Sequence, residues 1–226
     1  MSKQKRLIII EGIPGSGKTT TASSVFERLI TRRIKTRCFL EQEELHPLLL
    51  HGVNFNSFEN EEDADLFIQL LSSRFFDFVQ EQLNSPDEVI IIESVLFQDA
   101  INVSHLMGMN YVKLLDFSSR LLTILEPLNP ILIYYYQMNV EKQWRFICDV
   151  RGNEWGPVSL HTDEEFKQAA EVWGKSQSFV RTVIDQWEVP KLIIENSEYL
   201  WSEYNHRINE FLDNLLIPSG KSISKI

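Results

Sequence analysis

Residues Leu7 to Thr20 read LIIIEGIPGSGKTT, and this stretch decides the fold. Leu7 to Ile10 form an apolar run that is typical of a strand buried on both faces. Gly12 to Thr19 then match the pattern G-x-x-x-x-G-K-[ST] at every fixed position, which defines a phosphate loop, or P-loop. A strand that runs directly into such a loop predicts a binding site for the phosphates of a nucleotide.

The residue types of the loop predict how those phosphates are held. Backbone N–H groups at the start of the following helix would point at a bound anion. Lys18 would bridge the β- and γ-phosphates, and the hydroxyl of Thr19 would ligate Mg²⁺. We therefore predict ATP and Mg²⁺ as cofactors. The predicted nucleotide-binding residues of the loop are Gly12, Ile13, Pro14, Gly15, Ser16, Gly17, Lys18, Thr19 and Thr20.

A glycine-rich turn without a ligand is the alternative interpretation of this loop. The next residues disfavour it, because apolar side chains recur at helical spacing and place a helix after the loop, as a P-loop requires. The apolar positions of this helix are Ala22, Val25, Phe26, Leu29 and Ile30.

Length and composition indicate one domain. The chain has 226 residues, is 43% hydrophobic and carries a formal net charge of -10. We predict a single domain over residues 1–217 and a flexible tail over 218–226.

The net negative charge and the lack of a basic stripe argue against nucleic acid as a partner. The apolar run near the N-terminus is too short for a signal peptide or a membrane span, which predicts a cytoplasmic protein. In such a protein, Cys38 and Cys148 are predicted to be reduced thiols.

Two further strands end in carboxylates. Residues 36–41 read as the second strand, ending at Glu41, and residues 88–94 as the third, ending at Glu93 and Ser94. In proteins with a P-loop, an acid at the end of the neighbouring strand faces Mg²⁺ and the γ-phosphate. We predict that Glu93 ligates the metal and orients or deprotonates an acceptor hydroxyl. The alternative is an acid that is merely exposed to water.

Residues 48–60 form an irregular segment that contains Phe55 and Phe58. These aromatic side chains could close over a flat ligand, or they could pack the segment onto the protein. The helix predicted over residues 62–83 carries Arg74, which either contacts the acceptor or forms a surface ion pair.

Two arginines follow the fourth predicted strand, residues 131–137. Arg145 lies within the next helix, and Arg151 opens a polar segment, residues 151–157, that is suited to a mobile cover. We predict that both arginines stabilise charge on the transferred phosphoryl group. Ordinary surface charges are the alternative interpretation.

The fifth predicted strand, residues 189–196, ends at Asn196, which is predicted to line the nucleotide base. Helical patterns separate the five strands. The sequence therefore predicts an α/β fold of three layers, α/β/α, with a parallel sheet.

The chain resembles the P-loop nucleoside and nucleotide kinase superfamily, especially its thymidylate kinase and deoxynucleoside kinase branches. The resemblance covers residues 5 to 216. It rests on EGIPGSGKTT, IIIES, NPILIYYYQMNVEKQWRFICDVRG and LIIENSE. It implies a P-loop NTPase fold with the sheet order 2-3-1-4-5, a helical lid, ATP and Mg²⁺ at the loop, and an acceptor between the ends of the second and third strands. By this resemblance Lys18, Glu93, Arg145 and Arg151 become catalytic, Thr19 and Glu93 hold the metal, and Glu41 contacts the acceptor.

The chain departs from the family pattern at two points: Ser94 stands where an arginine usually follows the strand-end acid, and Arg145 and Arg151 lie farther apart than the family pairs do. Between Glu41 and Pro127 the basic residues are few, which favours a neutral hydroxyl acceptor over a monophosphate. They are Arg74, Lys113 and Arg120.

The sequence therefore predicts a small-molecule kinase that transfers the γ-phosphoryl group of ATP to a nucleoside, a nucleotide or a similar acceptor. A slow NTPase switch and a nucleotide-binding regulatory protein are the alternatives. The chain lacks the N-K-x-D signature of guanine-nucleotide switches. The oligomeric state is left open, with a homodimer among the options.

Overall fold

The computed structural model describes residues 5–155 and 158–216. The predicted tail, residues 218–226, and the domain boundary at residue 217 lie outside this part of the chain. Five strands form one parallel sheet in the order β2-β3-β1-β4-β7, and two short strands pair as an antiparallel hairpin. The strands are β1 (Arg6–Gly12), β2 (Thr36–Phe39), β3 (Val89–Glu93), β4 (Pro130–Gln137), β5 (Glu154–Trp155), β6 (Val158–Ser159) and β7 (Lys191–Asn196).

Helices cover both faces of this sheet. The α-helices are α1 (Lys18–Thr31), α2 (Glu61–Asn84), α3 (Val103–Leu106), α4 (Tyr111–Leu125), α5 (Val140–Arg151), α6 (Asp163–Gln186) and α7 (Trp201–Leu216). A π-helix spans Val95–Asn102 and a 3₁₀ turn spans Glu126–Leu128. Among the described helices, none combines the length and the apolar character that crossing a bilayer requires.

The sheet order agrees with the predicted order 2-3-1-4-5, with β7 as the fifth strand. Strand β1 alternates its side chains between two buried faces, which is why it reads as a continuous apolar run. Leu7 and Ile9 pack in the core formed with α2, α4 and α6, whereas Ile8 and Ile10 pack in the core formed with α1 and α7. The predicted three-layer α/β/α architecture is confirmed.

The register of the strands brings the predicted acids to one end of the sheet. Ile10 pairs with Glu93 across β1 and β3, and Phe39 pairs with Ile92 across β2 and β3. The P-loop begins at Gly12, two residues beyond Ile10, and Glu41 likewise lies two residues beyond Phe39. Parallel strands thus place the loop, Glu93 and Glu41 side by side, where folds of this kind bind their ligands.

The aromatic side chains between β2 and α2 pack the segment onto the protein. The ring centroid of Phe58 lies 4.6 Å from that of Phe67 and 5.4 Å from that of Phe55, and Phe58 is buried. Arg74 supports the same segment, because its Nη2 donates to the carbonyl oxygen of Leu49 at 3.1 Å. Of the two alternatives for the phenylalanines, packing is therefore correct, and Arg74 is bonded to the backbone of this segment in place of an ion pair with a described residue.

The segment predicted as a polar cover, residues 151–157, contains β5, which pairs with β6 just beyond the segment. Trp155 stacks on Trp144 of α5 with 6.0 Å between ring centroids. This contact belongs to a small apolar cluster that α5, α6 and the hairpin form together. Tryptophan side chains therefore pack the described part of the predicted cover against α5 and α6. Residues 156–157 lie outside the described part of the chain.

Candidate active site

A cavity of about 280 Å³ opens at the end of the sheet where the P-loop lies. The loop forms one wall, the ends of β2 and β3 form a second, and α5 with the hairpin forms a third. The lining residues are Pro14, Gly15, Gly17, Lys18, Thr19, Thr20, Glu41, Gln42, Glu93, Gln98, Phe146, Ile147, Val150, Arg151 and Trp155. The fold therefore brings Lys18, Thr19, Glu41, Glu93 and Arg151 together, as the sequence predicts.

The loop needs glycine where α5 and α7 approach it. Gly15 has φ +71°, and a β-carbon there would lie 2.4 Å from Cγ1 of Ile147. Gly17 has φ +92°, and a β-carbon there would lie 2.9 Å from the ring of Trp201. Both positions combine a left-handed backbone with close packing, so a side chain would strain the backbone and collide with a neighbour.

We expect Gly15→Ala to lower the free energy of unfolding by about 1–3 kcal/mol, because it adds left-handed backbone strain to a collision with Ile147. Urea unfolding measures this change. Gly174→Ala is the matched control, since a β-carbon at Gly174 within α6 meets nothing within 4 Å. That control should be neutral or up to about 1 kcal/mol stabilising. Equal stabilities for the two variants would contradict the tight packing of the loop.

Lys18 lies inside the loop and is 5% exposed. Its Nζ donates to the carbonyl oxygen of Ile13 at 3.1 Å and to Oε1 of Gln98 at 2.9 Å. Burial lowers the pKa of Lys18, and the carboxylates of Glu93 and Glu11 act in the opposite direction. Within the described residues, the ammonium group of Lys18 therefore bonds only to neutral oxygen acceptors. A phosphate oxygen can replace these acceptors, because a charged acceptor forms the stronger hydrogen bond.

Glu93 is held by three donors at the end of β3. Its Oε1 accepts from the hydroxyls of Thr19 at 3.2 Å and Ser94 at 2.7 Å, and its Oε2 accepts from the backbone N–H of Glu41 at 3.2 Å. Ser94 follows the strand-end acid directly, and its φ of +69° turns the chain into the π-helix. The carboxylate is therefore fixed beside the first turn of α1.

The side-chain oxygen atoms of Thr19 and Glu93 are suitable ligands for Mg²⁺. Thr19 and Glu93 offer a hydroxyl and a carboxylate oxygen 3.2 Å apart in the cavity. Mg²⁺ prefers oxygen ligands and commonly binds through one or two protein groups together with substrate phosphates. These two side chains could hold the metal, as the sequence predicts.

Glu11 is a second buried carboxylate, and it caps the π-helix. Its Oε1 accepts from the backbone N–H groups of Leu96 at 2.7 Å and Phe97 at 3.0 Å, and its Oε2 accepts from that of Gln98 at 3.2 Å. Burial raises the pKa of Glu11 to about 8, although these N–H groups and the Lys18 ammonium favour the charged form. The helix that faces the cavity is thereby attached to the strand that leads into the P-loop.

Gln98 connects Lys18 of the P-loop with Glu41 at the end of β2. It accepts from Lys18, and its Nε2 donates to Oε1 of Glu41 at 3.2 Å. The next residue, Asp99, is largely buried, and burial together with the Glu41 carboxylate raises its pKa to about 7. Two carboxyl groups, those of Glu41 and Glu93, therefore line the cavity, and Asp99 lies close behind them.

The two predicted lid arginines lie on different faces of α5. Arg151 lines the cavity, and its guanidinium lies 5.3 Å from the ring centroid of Trp155. Arg145 forms ion pairs with Glu141 and Asp163 and stacks over Phe166 at 4.5 Å. The prediction that Arg145 faces the transferred phosphate does not fit this geometry, because packing between α5 and α6 turns Arg145 away from the cavity.

Asn196 is buried below the cavity and does not line it. Its Oδ1 accepts from the backbone N–H of Tyr199 and from the hydroxyl of Tyr204, each at 3.1 Å. The predicted contact of Asn196 with a base therefore does not fit. Asn196 instead holds Tyr199, which has φ +54° and stacks on Phe146 with 4.8 Å between ring centroids.

Sequence reasoning missed several residues of the site, including Glu11, Gln98, Phe146 and Trp155. One signal for Glu11 was present, because a charged residue at the end of a fully apolar strand needs buried donors. Gln98, Phe146 and Trp155 carry no motif, and only the packing of their helices and of the hairpin places them at the cavity.

Solved structures with the same fold support this arrangement. The chain is similar to the YorR protein of Bacillus subtilis, determined in complex with phosphorylated GDP, with 15% identity, a TM-score of 0.52, and coverage of 92% of this chain and 95% of that chain. It is also similar to thymidylate kinase from Ehrlichia chaffeensis, with 13% identity, a TM-score of 0.51, and coverage of 93% and 98%. No protein-family model and no curated protein sequence matches the chain. The chain therefore has the α/β/α fold of the P-loop kinases, which is the fold that its phosphate loop and strand order predict.

Proposed function

We propose that this protein is a Mg²⁺-dependent kinase that transfers the γ-phosphoryl group of ATP to a hydroxyl group of a small acceptor. The observation that carries the proposal is the meeting of Lys18, Thr19 and Glu93 in one cavity, with the Thr19 hydroxyl 3.2 Å from the Glu93 carboxylate. These are the groups that phosphoryl transfer at a P-loop requires.

Each residue has a separate task in this proposal. Lys18 and the loop N–H groups bind the phosphates and stabilise charge that develops on them during transfer. Thr19 and Glu93 hold Mg²⁺, which when bound neutralises phosphate charge and orients the β- and γ-phosphates. Glu93 or Glu41 accepts the proton of the acceptor hydroxyl, because both carboxylates line the cavity. Arg151 supplies a second cation from the lid.

The charges around the cavity favour a neutral acceptor. Among the described residues that line it, the basic ones are Lys18 and Arg151, and the acidic ones are Glu41 and Glu93. Arg74, the basic residue predicted to contact the acceptor, is bonded to the carbonyl oxygen of Leu49. A monophosphate acceptor would meet carboxylates without paired cations, whereas a hydroxyl can donate to them.

The ligands named for the fold neighbours point to an acceptor that carries a nucleobase, and the charges of the cavity then favour a nucleoside over its monophosphate. One neighbour is thymidylate kinase and the other was determined with phosphorylated GDP, so both concern nucleotides. Phe146 is 38% exposed, lines the cavity and stacks on Tyr199, so it offers an aromatic surface for a base. We therefore propose a nucleoside, or a similar neutral alcohol, as the first acceptor to test.

The test is acceptor-dependent ADP formation by the purified protein with Mg²⁺. ATP and GTP serve as donors, and deoxynucleosides, ribonucleosides, their monophosphates and small alcohols serve as acceptors. We expect ADP formation that rises only with a hydroxyl acceptor. Hydrolysis that is independent of any acceptor would instead indicate a slow NTPase.

A nucleotide-binding regulatory protein is the second candidate. It is favoured by Ser94 in place of the family arginine and by the position of Arg145 outside the cavity. Tight Mg²⁺-dependent binding of ATP with neither transfer nor hydrolysis would identify this function.

Substitutions of Arg151 and Arg145 test which of these two arginines of α5 contributes to catalysis. We expect Arg151→Gln to lower kcat at least about tenfold, because it removes a cation from the cavity. Arg145→Gln should change kcat less than about twofold and should affect stability instead, through the pairs with Glu141 and Asp163. Steady-state kinetics and thermal unfolding measure the two effects. A larger loss of kcat in Arg145→Gln would contradict the assignment.

A further inference from the structure

The side-chain amide of Gln98 lies between two charged groups of the cavity. Its Oε1 accepts from Lys18 Nζ at 2.9 Å, and its Nε2 donates to Oε1 of Glu41 at 3.2 Å. An ammonium can only donate hydrogen bonds and a carboxylate can only accept them, so the chemistry of the partners fixes the orientation of the amide. One side chain therefore bridges the nucleotide side and the acceptor side.

The backbone beneath Gln98 is anchored independently of its side-chain amide. The Gln98 N–H donates to Glu11 at the first turn of the π-helix. The side chain also separates the cavity from a smaller one that is lined by Gly12, Asn102 and Gln177. π-Helical turns occur frequently at functional sites. The bond to Glu11 that holds the helix thus does not depend on the two hydrogen bonds of the side-chain amide.

We propose that Gln98 is a positioning residue that couples nucleotide binding at Lys18 to the Glu41 carboxylate. The inference rests on the proposed function, because it needs a triphosphate at the P-loop. A phosphate oxygen competes with Gln98 Oε1 for the Lys18 donors, since a charged acceptor forms the stronger bond. The amide then loses one of its two anchors and its hold on Glu41 weakens, because linked hydrogen bonds strengthen one another. Glu41 becomes available to an acceptor only after the nucleotide is bound.

The test is a double-mutant cycle on nucleotide affinity. The dissociation constant of the Mg²⁺ complex of AMP-PNP, a non-hydrolysable ATP analogue, is measured by calorimetry for wild type, Glu41→Ala, Gln98→Leu and the double variant. A direct electrostatic effect of Glu41 on the phosphates would be the same with or without Gln98. We expect Glu41→Ala to change the affinity at least threefold more in the wild-type background than in Gln98→Leu. Equal changes in the two backgrounds would overturn the inference.

A spectroscopic measurement adds a readout that a merely structural side chain would not give. The side-chain amide resonances of Gln98, identified by their loss in Gln98→Leu, should shift when Mg²⁺ and AMP-PNP are added to the wild type. Unshifted resonances at saturation would overturn the coupling. If Gln98→Leu fails to fold, Gln98→Asn replaces it in both experiments, because a side chain one methylene shorter cannot reach both partners.

The controls separate this inference from the proposed function. Glu44→Ala removes an exposed carboxylate from the same segment as Glu41 and should show no coupling to Gln98. Wild-type protein that binds no Mg²⁺ and AMP-PNP would overturn the proposed function together with the coupling. If the wild type binds the Mg²⁺ complex of AMP-PNP but the cycle shows no coupling between Glu41 and Gln98, the role of Gln98 alone would be overturned.

Discussion

Replacing Lys18 with methionine is expected to lower acceptor-dependent ADP formation by a factor on the order of 10²–10³, because it removes the cation that stabilises the transferred phosphoryl group. The fold should persist. The loop backbone is held by other bonds, including Ser16 N–H to the carbonyl oxygen of Ile13 at 3.3 Å and Gln143 Nε2 to that of Pro14 at 3.0 Å. Methionine also keeps the volume of the buried stem.

The measurements are the rate of ADP formation and a thermal unfolding curve of the same preparation. Lys175→Met is the matched control, because Lys175 is an exposed lysine of α6. That variant should retain the wild-type rate. A Lys18→Met variant with undiminished turnover would remove the catalytic role assigned to Lys18.

Glu93→Gln has the second largest expected effect. The substitution keeps the shape of the side chain but removes the charge that faces Mg²⁺ and the capacity to accept a proton. Its amide would also place a donor against at least one of the three donors that now bind the carboxylate. We expect kcat for a hydroxyl acceptor to fall by a factor on the order of 10²–10⁴ and the Mg²⁺ requirement to rise.

Kinetics at several Mg²⁺ concentrations measure both effects. Glu195→Gln serves as the control, because Glu195 is an exposed glutamate on β7 of the same sheet. The loss should be far larger with a hydroxyl acceptor than with a phosphate acceptor, which needs no deprotonation. Equal and small losses with the two kinds of acceptor would favour a monophosphate as the substrate.

Much of the fold was predictable because its signals are local. The apolar runs of β1 and β3 and the loop between β1 and α1 each describe a short, contiguous piece of backbone. The strand order follows from the resemblance to P-loop kinases, and the register of β1 against β3 then places Glu93 beside the loop. The lengths of the long helices α2 and α6 follow from their periodic apolar positions.

The lid was less predictable because its residues depend on how helices rotate against each other. Arg145 and Arg151 are six positions apart on α5, which separates them by roughly 120° around the helix axis, so they cannot point at one phosphate. Helical geometry alone therefore argues against both arginines contacting the same phosphate. Which of the two faces the cavity is decided by the packing of α5 against α6. Asn196 illustrates the same limit, since its buried bonds to Tyr199 and Tyr204 join the end of β7 to the following loop and to α7.

By itself the sequence determined the P-loop, the parallel sheet and the two acids at the strand ends, because each depends on residues that are adjacent along the chain. The tertiary structure alone decided that Gln98 bridges Lys18 and Glu41, that Glu11 caps the π-helix and that Arg151 faces the cavity instead of Arg145. These contacts join side chains that are distant in sequence, and their geometry is set by how the helices pack on the sheet.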